Sequence, residues 1–186
     1  MFEIRLHGRG GQGVVTAAEL LSVAAFDEGK HAQAFPSFGS ERMGAPVASY
    51  CRISEAEIRL REPIMEPDAL IIQDSTLLHS VDVFAGLRPD GFLLINSRRS
   101  PAELGISDIA DRLPPQHVAC VDATGIAQRL IGRPLPNAAL LGGFAAISGV
   151  LSLDAVLRAI RDRFEGRIAE ANVAAATEAH DFARAA

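Results

Sequence analysis

Three features of this 186-residue chain predict a doubly wound, Rossmann-like α/β domain with a mostly parallel sheet, an added β-hairpin and a helical C-terminus. Short apolar runs alternate with segments of helical period, a glycine-rich turn follows the first strand, and several apolar runs end at Asp or Asn. Phe2 to His7 alternates Phe2, Ile4 and Leu6 with Glu3, Arg5 and His7, the pattern of a strand covered on one face. Gly8-Arg-Gly-Gly-Gln-Gly13 comes next. Val14 to Glu28 then places Val14, Ala18, Leu21 and Ala25 on one helical face, with Gly29 to end the helix. His31 to Phe35 has strand character. Pro36 to Pro46 carries two prolines and two glycines, so it is expected as a long loop of the kind that carries function. Val47 to Ile53 is the next strand, and Glu57 to Arg61 is its expected hairpin partner, giving the added Ala45–Arg61 hairpin.

Ala69 to Gln73 is a short continuous apolar run, as in a central strand buried on both faces. Asp74-Ser-Thr supplies an N-cap for a helix over Leu77 to Phe84. Phe92 to Ile95 and Val118 to Val121 repeat the strand pattern, the second ending at Asp122 before a helix to about Ile131. The remainder reads as helical. Leu153, Val156, Leu157, Ile160 and Phe164 form an apolar stripe, and Ile168 to Ala186 is alanine-rich. Gly142, Ala146 and Gly149 recur at helical spacing, which suits close helix packing. With no repeat and no interior linker, residues 1–186 are expected to form one domain.

Hydrophobic residues make up 48% of the chain and charged residues 22%, and the net charge is -5. That is globular composition without the basic footprint of a nucleic-acid or anionic-membrane binder. Arg59, Arg61, Arg98 and Arg99 leave room for a local anion site. Cys51 and Cys120 are the only cysteines, so the chain cannot supply four thiolates to an iron–sulfur cluster; both read as buried, reduced thiols, with a disulfide between them as the alternative. The longest apolar stretch, Ala138 to Leu151, is broken by Gly142, Gly143, Ser148 and Gly149 and falls short of the roughly 20 residues of a membrane span. No secretory leader pattern opens the chain, and a cytoplasmic protein is expected.

Gly8, Gly10 and Gly13 match G-x-G-x-x-G between a strand and a helix, where backbone N–H groups and the helix dipole favour an anion. A dinucleotide site also wants an acidic residue after the second strand, about 20 residues on. Phe35, Pro36 and Ser37 stand there instead, with Asp27 and Glu28 too early and Glu41 too late. Arg9 and Gln12 can donate to phosphate, so a phosphate-bearing ligand is expected; a tight turn with no ligand is the alternative. Ser37, Ser40, Glu41 and Arg42 should lie on the same carboxyl edge, with Arg42 on a second phosphate and Glu41 orienting it, or simply a solvated ion pair. His7 reads first as a hydrogen-bonded structural residue and second as an acid–base group. Asp74, Asn96 and Asp122 end strands at the site edge, and helix capping accounts for Asp74 as well as ligand binding does. No nucleophile or metal-ligand spacing stands out, so no catalytic or metal residue is assigned.

Gly8-Arg-Gly-Gly-Gln-Gly13, Pro36-Ser-Phe-Gly-Ser-Glu-Arg-x-Gly-Ala-Pro-Val47 and Arg52-Ile-Ser54 together resemble the gamma subunit, or gamma domain, of 2-oxoacid:ferredoxin oxidoreductases such as pyruvate:ferredoxin oxidoreductase. The likeness continues more loosely through Pro67 to Asp74, Asn96-Ser97, Asn137 and Asn172. Met43 departs from the family, which often has arginine or glycine there, so a second cation beside Arg42 is missing. The resemblance implies a multi-subunit enzyme that decarboxylates a 2-oxoacid, pyruvate by default, and passes electrons to ferredoxin or another acceptor while forming an acyl-coenzyme A. Thiamine diphosphate, Mg2+ and [4Fe–4S] clusters would then sit on partner alpha, beta and ferredoxin-like subunits. This chain would help bind coenzyme A through Arg9, Gly10, Gly11, Gln12, Gly13, Ser37, Glu41 and Arg42. The competing expectations are a free-standing NAD(P)-dependent reductase and an interface module without a ligand.

Overall fold

The computed structural model describes residues 1–37 and 43–186. The apolar runs become six strands of one mixed sheet: β1 (Phe2–Arg9), β2 (His31–Pro36), β3 (Pro46–Ser54), β4 (Ala69–Ile72), β5 (Phe92–Asn96) and β6 (Val118–Val121), in the spatial order β2-β3-β1-β4-β5-β6. β1, β4, β5 and β6 run parallel, whereas β3 is antiparallel to both β1 and β2. The helices are α1 (Val14–Asp27), α2 (Ser107–Ala110), α3 (Ala123–Leu130), α4 (Asn137–Ser148), α5 (Leu153–Arg163) and α6 (Gly166–Ala185). Two reversals make β2 point the same way as β1. Its carboxyl end therefore lies on the same sheet edge as the glycine turn, as expected, although an antiparallel strand intervenes.

Two expectations need correction. The hairpin partner of β3 is β2, not Glu57–Arg61, which forms no strand. Both edges of β3 are already occupied by β1 and β2, so no edge remains for 57–61. The chain there instead crosses over to bring β4 beside β1, held by two buried arginines. Arg52 is 2% exposed and donates to Glu3 Oε1 (2.8 Å), to the Glu62 carbonyl (2.5 Å) and to Gln33 Oε1 (3.4 Å). Arg5 donates to the carbonyls of Ile64 (3.2 Å), Val83 (3.1 Å) and Ala85 (2.5 Å). The helix expected over Leu77–Phe84 is likewise only a 3-10 turn at Ser75–His79. The Val83 and Ala85 carbonyls are taken by Arg5, and Leu77, Leu78 and Val83 fold down onto the sheet.

The double winding is uneven. One sheet face packs Ile4, Leu6, Ile71, Leu94 and Val121 against α1, α4 and the helices behind them. The other packs Leu70, Ile72, Leu93 and Ile95 under Leu77, Leu78, Val83, Leu104, Ile106 and Leu113. α4 is apolar nearly all round because it is covered on both sides, by the sheet and by α6. The alanines of α6 permit that approach: a Cβ on Gly142 would lie 1.9 Å from the Ala176 carbonyl oxygen. Gly149 serves differently, closing α4 in the left-handed conformation with φ 61°.

Gly142→Ala should therefore destabilise the protein by about 1–3 kcal/mol in urea unfolding, because backbone rather than a flexible side chain must yield. A second test concerns His7, whose Nε2 accepts from Arg5 Nε at 3.0 Å. Burial, with the charge of Arg5 added, lowers its pKa to about 4. The neutral form belongs to the fold, so stability is complete above the unfolded value near 6.5 and falls as the pH drops towards 4. The loss should approach about 3 kcal/mol, and His7→Gln should flatten that slope when unfolding midpoints are measured across this pH range.

Candidate functional site

The chain leaves β1 towards β2 on one side and returns to β4 on the other. The carboxyl ends of β1 and β4 thus flank the topological switch point, where open α/β sheets bind ligands. The glycine turn occupies this place. Gly13 starts α1 in the left-handed conformation (φ 74°, ψ 31°), and no side chain caps the helix. A Cβ on Gly13 would lie 2.7 Å from Asn137 Nδ2, so glycine here serves both the conformation and the approach of α4. Three other N-termini are closed by their own side chains: Asp74 accepts from Thr76 N, Asp122 from Gly125 N, and Ser152 from Ala155 N.

Arg9 and Gln12, expected as phosphate donors, are largely committed to the protein. Gln12 Oε1 accepts from the Arg9 N–H at 2.7 Å while Nε2 donates to Asp74 Oδ2 at 2.8 Å. The Arg9 guanidinium reaches Thr76 Oγ1 (2.9 Å), the Gly44 carbonyl (3.1 Å) and Asp74 Oδ2 (3.3 Å). Burial alone would raise the Asp74 pKa, but hydrogen bonds from Thr76 and Gln12 and the charge of Arg9 outweigh it and hold the carboxyl below its ordinary value. The Asp74 oxygens are thus engaged within the protein. Gly10 pairs with the returning segment through Gly10 N to Ala45 O (2.9 Å) and Gly44 N to Gly10 O (3.0 Å), and Met43 lays its sulfur over Gly11.

Beside the turn lies a cavity of about 520 Å³ that Gly11, Gly13 and Thr16 share with the C-terminal helices. Arg133 and Arg163 supply positive charge, and neither pairs with a carboxylate among the described residues. Asn137, 7% exposed, and the buried Asn172 present amides, while Leu135, Phe164 and Ile168 give an apolar wall. A helix N-terminus, two cations, two amides and an apolar wall suit an anionic ligand with an organic body.

Sequence reasoning singled out Asn137 and Asn172 without a role and missed Arg133 and Arg163, which come to the site only because the C-terminal helices fold back over α1. Ser37 extends the β2–β3 pairing through Ser37 N to Ala48 O (2.9 Å) and lies two strands from β1, roughly 10 Å away. Ser40, Glu41 and Arg42 lie outside the described residues. The four arginines noted as a cluster have separate local surroundings, with Arg59 on Glu57 and Arg98 on Asp122. Asn96 is structural, joining the Gln73 carbonyl to Thr124. Burial pushes the Cys51 thiol up to about 12 and the Cys120 thiol to about 11, so neither is a ready nucleophile. Among the described residues, no cluster of three metal-ligating side chains exists, and no helix is long and apolar enough to cross a membrane.

Gly13→Ala and Gly29→Ala separate the two demands on Gly13. Both positions have positive φ, but nothing lies within 4 Å of a Cβ on Gly29. Each should lose about 1–2 kcal/mol from backbone strain; Gly13→Ala should lose more, because Asn137 must also move.

Residues 3–182 match the family model described as pyruvate ferredoxin/flavodoxin oxidoreductase. The chain is 47% identical to the pyruvate/ketoisovalerate oxidoreductases common subunit gamma of Pyrococcus abyssi, over 97% of this chain and 96% of that one. It is also 47% identical to the pyruvate synthase subunit PorC of Methanocaldococcus jannaschii, again over 97% and 96%. The crystal structure of the pyruvate oxidoreductase subunit PORC of Thermotoga maritima superposes with a TM-score of 0.81 at 33% identity, covering 97% of this chain and 95% of that one.

Proposed function

The chain belongs to the pyruvate ferredoxin/flavodoxin oxidoreductase family, and from that premise we propose that it is the gamma subunit that holds part of coenzyme A for a 2-oxoacid oxidoreductase. The observation that carries this reading is the uncapped N-terminus of α1 opening onto the cavity with Arg133 and Arg163. Coenzyme A carries phosphates on a long organic body, and this hollow offers cations, amides and an apolar wall to such a molecule. The backbone at Gly13 and the first turn of α1 receives a phosphate, the two arginines neutralise it, and Asn137 and Asn172 orient the chain leaving it. Arg9 and Gln12 act as positioning residues, because their side chains fix the turn.

The redox chemistry belongs to partner subunits. Cys51 is completely buried and Cys120 faces the opposite side of the sheet, so this chain does not fit an iron–sulfur cluster. Thiamine diphosphate, Mg2+ and [4Fe–4S] clusters are accordingly assigned to alpha, beta and ferredoxin-like partners, where decarboxylation and electron transfer occur. Pyruvate is the default 2-oxoacid, with ferredoxin as the default acceptor and the cytoplasm as the expected setting. An NAD(P)-dependent reductase fits less well, because β3 separates β2 from β1 and β2 ends at Pro36 rather than a carboxylate.

The test is steady-state kinetics of the assembled enzyme. Arg133→Ala and Arg163→Ala should each raise the KM for coenzyme A about tenfold, consistent with loss of one charge-assisted contact, and leave the KM for the 2-oxoacid in place. The purified chain alone should be inactive. Unaltered coenzyme A saturation in the double variant would contradict the assignment.

A further inference from the structure

β2 is the outermost strand of the sheet, and among the described residues no strand pairs with its free edge. The hydrogen-bond phase shows which groups lie there. Ser37 N donates to Ala48 O (2.9 Å), and the register sets Phe35 opposite Tyr50, Gln33 opposite Arg52 and His31 opposite Ser54. These alternate residues turn their backbone groups towards β3, so Ala32, Ala34 and Pro36 turn theirs outwards. The free edge thus offers an N–H and a C=O at both alanines, and a carbonyl alone at Pro36. Edge strands are commonly guarded by charged side chains, a bulge or a covering loop. β2 carries no Asp, Glu, Lys or Arg, and its one guard, Pro36, stands at its end.

This edge is complementary to itself. Two copies of β2 related by a two-fold axis at Gln33 run antiparallel and set Ala32 of each copy opposite Ala34 of the other. Each pair exchanges both of its bonds, so every outward N–H and C=O of the two alanines finds a partner. Pro36 falls beyond this stretch, and its missing N–H interrupts nothing. On one face the alanine side chains pack on the core beneath α1. On the other, the exposed His31 meets Phe35 of the other copy, whose half-exposed ring lies 5.0 Å from that of Tyr50. α1 lies over β2 and β3. With neighbouring strands about 4.8 Å apart, joined edges bring the two α1 helices to roughly 10 Å, a helix-packing distance. Phe26, in the last turn of α1 just before β2, is 74% exposed in the single chain. The approach of the second helix covers it.

We infer that two copies of this chain join through their β2 edges in the assembled enzyme, forming one continuous sheet with six strands from each copy. A strand from a different subunit could use the same free groups. The second copy is favoured because the alanine pair, the stop at Pro36 and the spacing of α1 all fit one two-fold operation. Coenzyme A binding plays no part in this contact.

Gln33→Cys tests the register. At the axis Gln33 faces its own copy in a non-hydrogen-bonded pair, with Cα atoms about 4.5 Å apart, within reach of a disulfide. Under mild oxidation this variant should give a covalent dimer of the chain on non-reducing gels, from both the purified chain and the assembled enzyme. His31→Cys should not, because it lies roughly 14 Å from its own copy. Nor should wild type, whose Cys51 is completely buried and whose Cys120 lies on β6 at the opposite edge of the sheet. In sedimentation of the purified chain, Phe26→Lys should weaken the dimer at least tenfold. It should leave the unfolding temperature in place, since the residue is exposed and a cation suits a helix C-terminus. Absence of the Gln33→Cys dimer from the assembled enzyme would overturn the inference, and so would equal cross-linking of both cysteine variants. Slowed amide exchange at Ala32 and Ala34 in the assembled enzyme, without that dimer, would give the edge to a different subunit and overturn it too.

Discussion

Gln12 ties the end of β1 to the end of β4. One end of its carboxamide takes the Arg9 N–H and the other reaches Asp74, which also caps the 3-10 turn and pairs with Arg9. Without this bridge, a glycine-rich segment would be free to wander, because glycine pays the largest conformational cost on ordering. With it, Gly13 is fixed at the start of α1 and Asn137 of α4 can close against it. The ordered turn then borders the cavity that holds Arg133 and Arg163. Arg9 extends the same network to Gly44, so the segment returning to β3 is registered on the turn as well.

Much of this was legible in the sequence. The period-two pattern of Phe2–His7 and the continuous run at Ala69 marked strands, but the alternation implied one covered face, whereas β1 is covered on both, with Arg5 and His7 buried. Asp74 takes the capping role, one of the two uses its position allowed, and Asp122, read only as a strand end, caps α3 as well. The family and its gamma-subunit type were carried by two motifs in combination. Glu57–Arg61 alternates like a strand, but alternation cannot reveal that both edges of β3 are already filled. Leu77–Phe84 has helical composition, yet the chain leaves the helical path after His79, Val83 packs onto the sheet, and the Val83 and Ala85 carbonyls meet Arg5 from a strand far away in sequence.

The candidate site shows the same limit. Gly11 and Gly13 announce themselves through spacing, while Arg133 and Arg163 lie in segments with no motif. Their meeting at one cavity depends on α4 and α6 packing closely, which depends in turn on Gly142 and the alanines of α6. Gln12 looked like a ligand donor because its type and place suit phosphate. Its geometry makes it a brace.

The N-terminus of α1, with Arg133 and Arg163, is the proposed seat of a coenzyme A phosphate, and a structure of the assembled enzyme with coenzyme A bound is the decisive measurement. A phosphate is expected within hydrogen-bonding distance of the backbone N–H groups at Gly13 and Val14, with at least one of the two arginines on its oxygens. Coenzyme A held entirely by other subunits, with this cavity left to solvent, would contradict it.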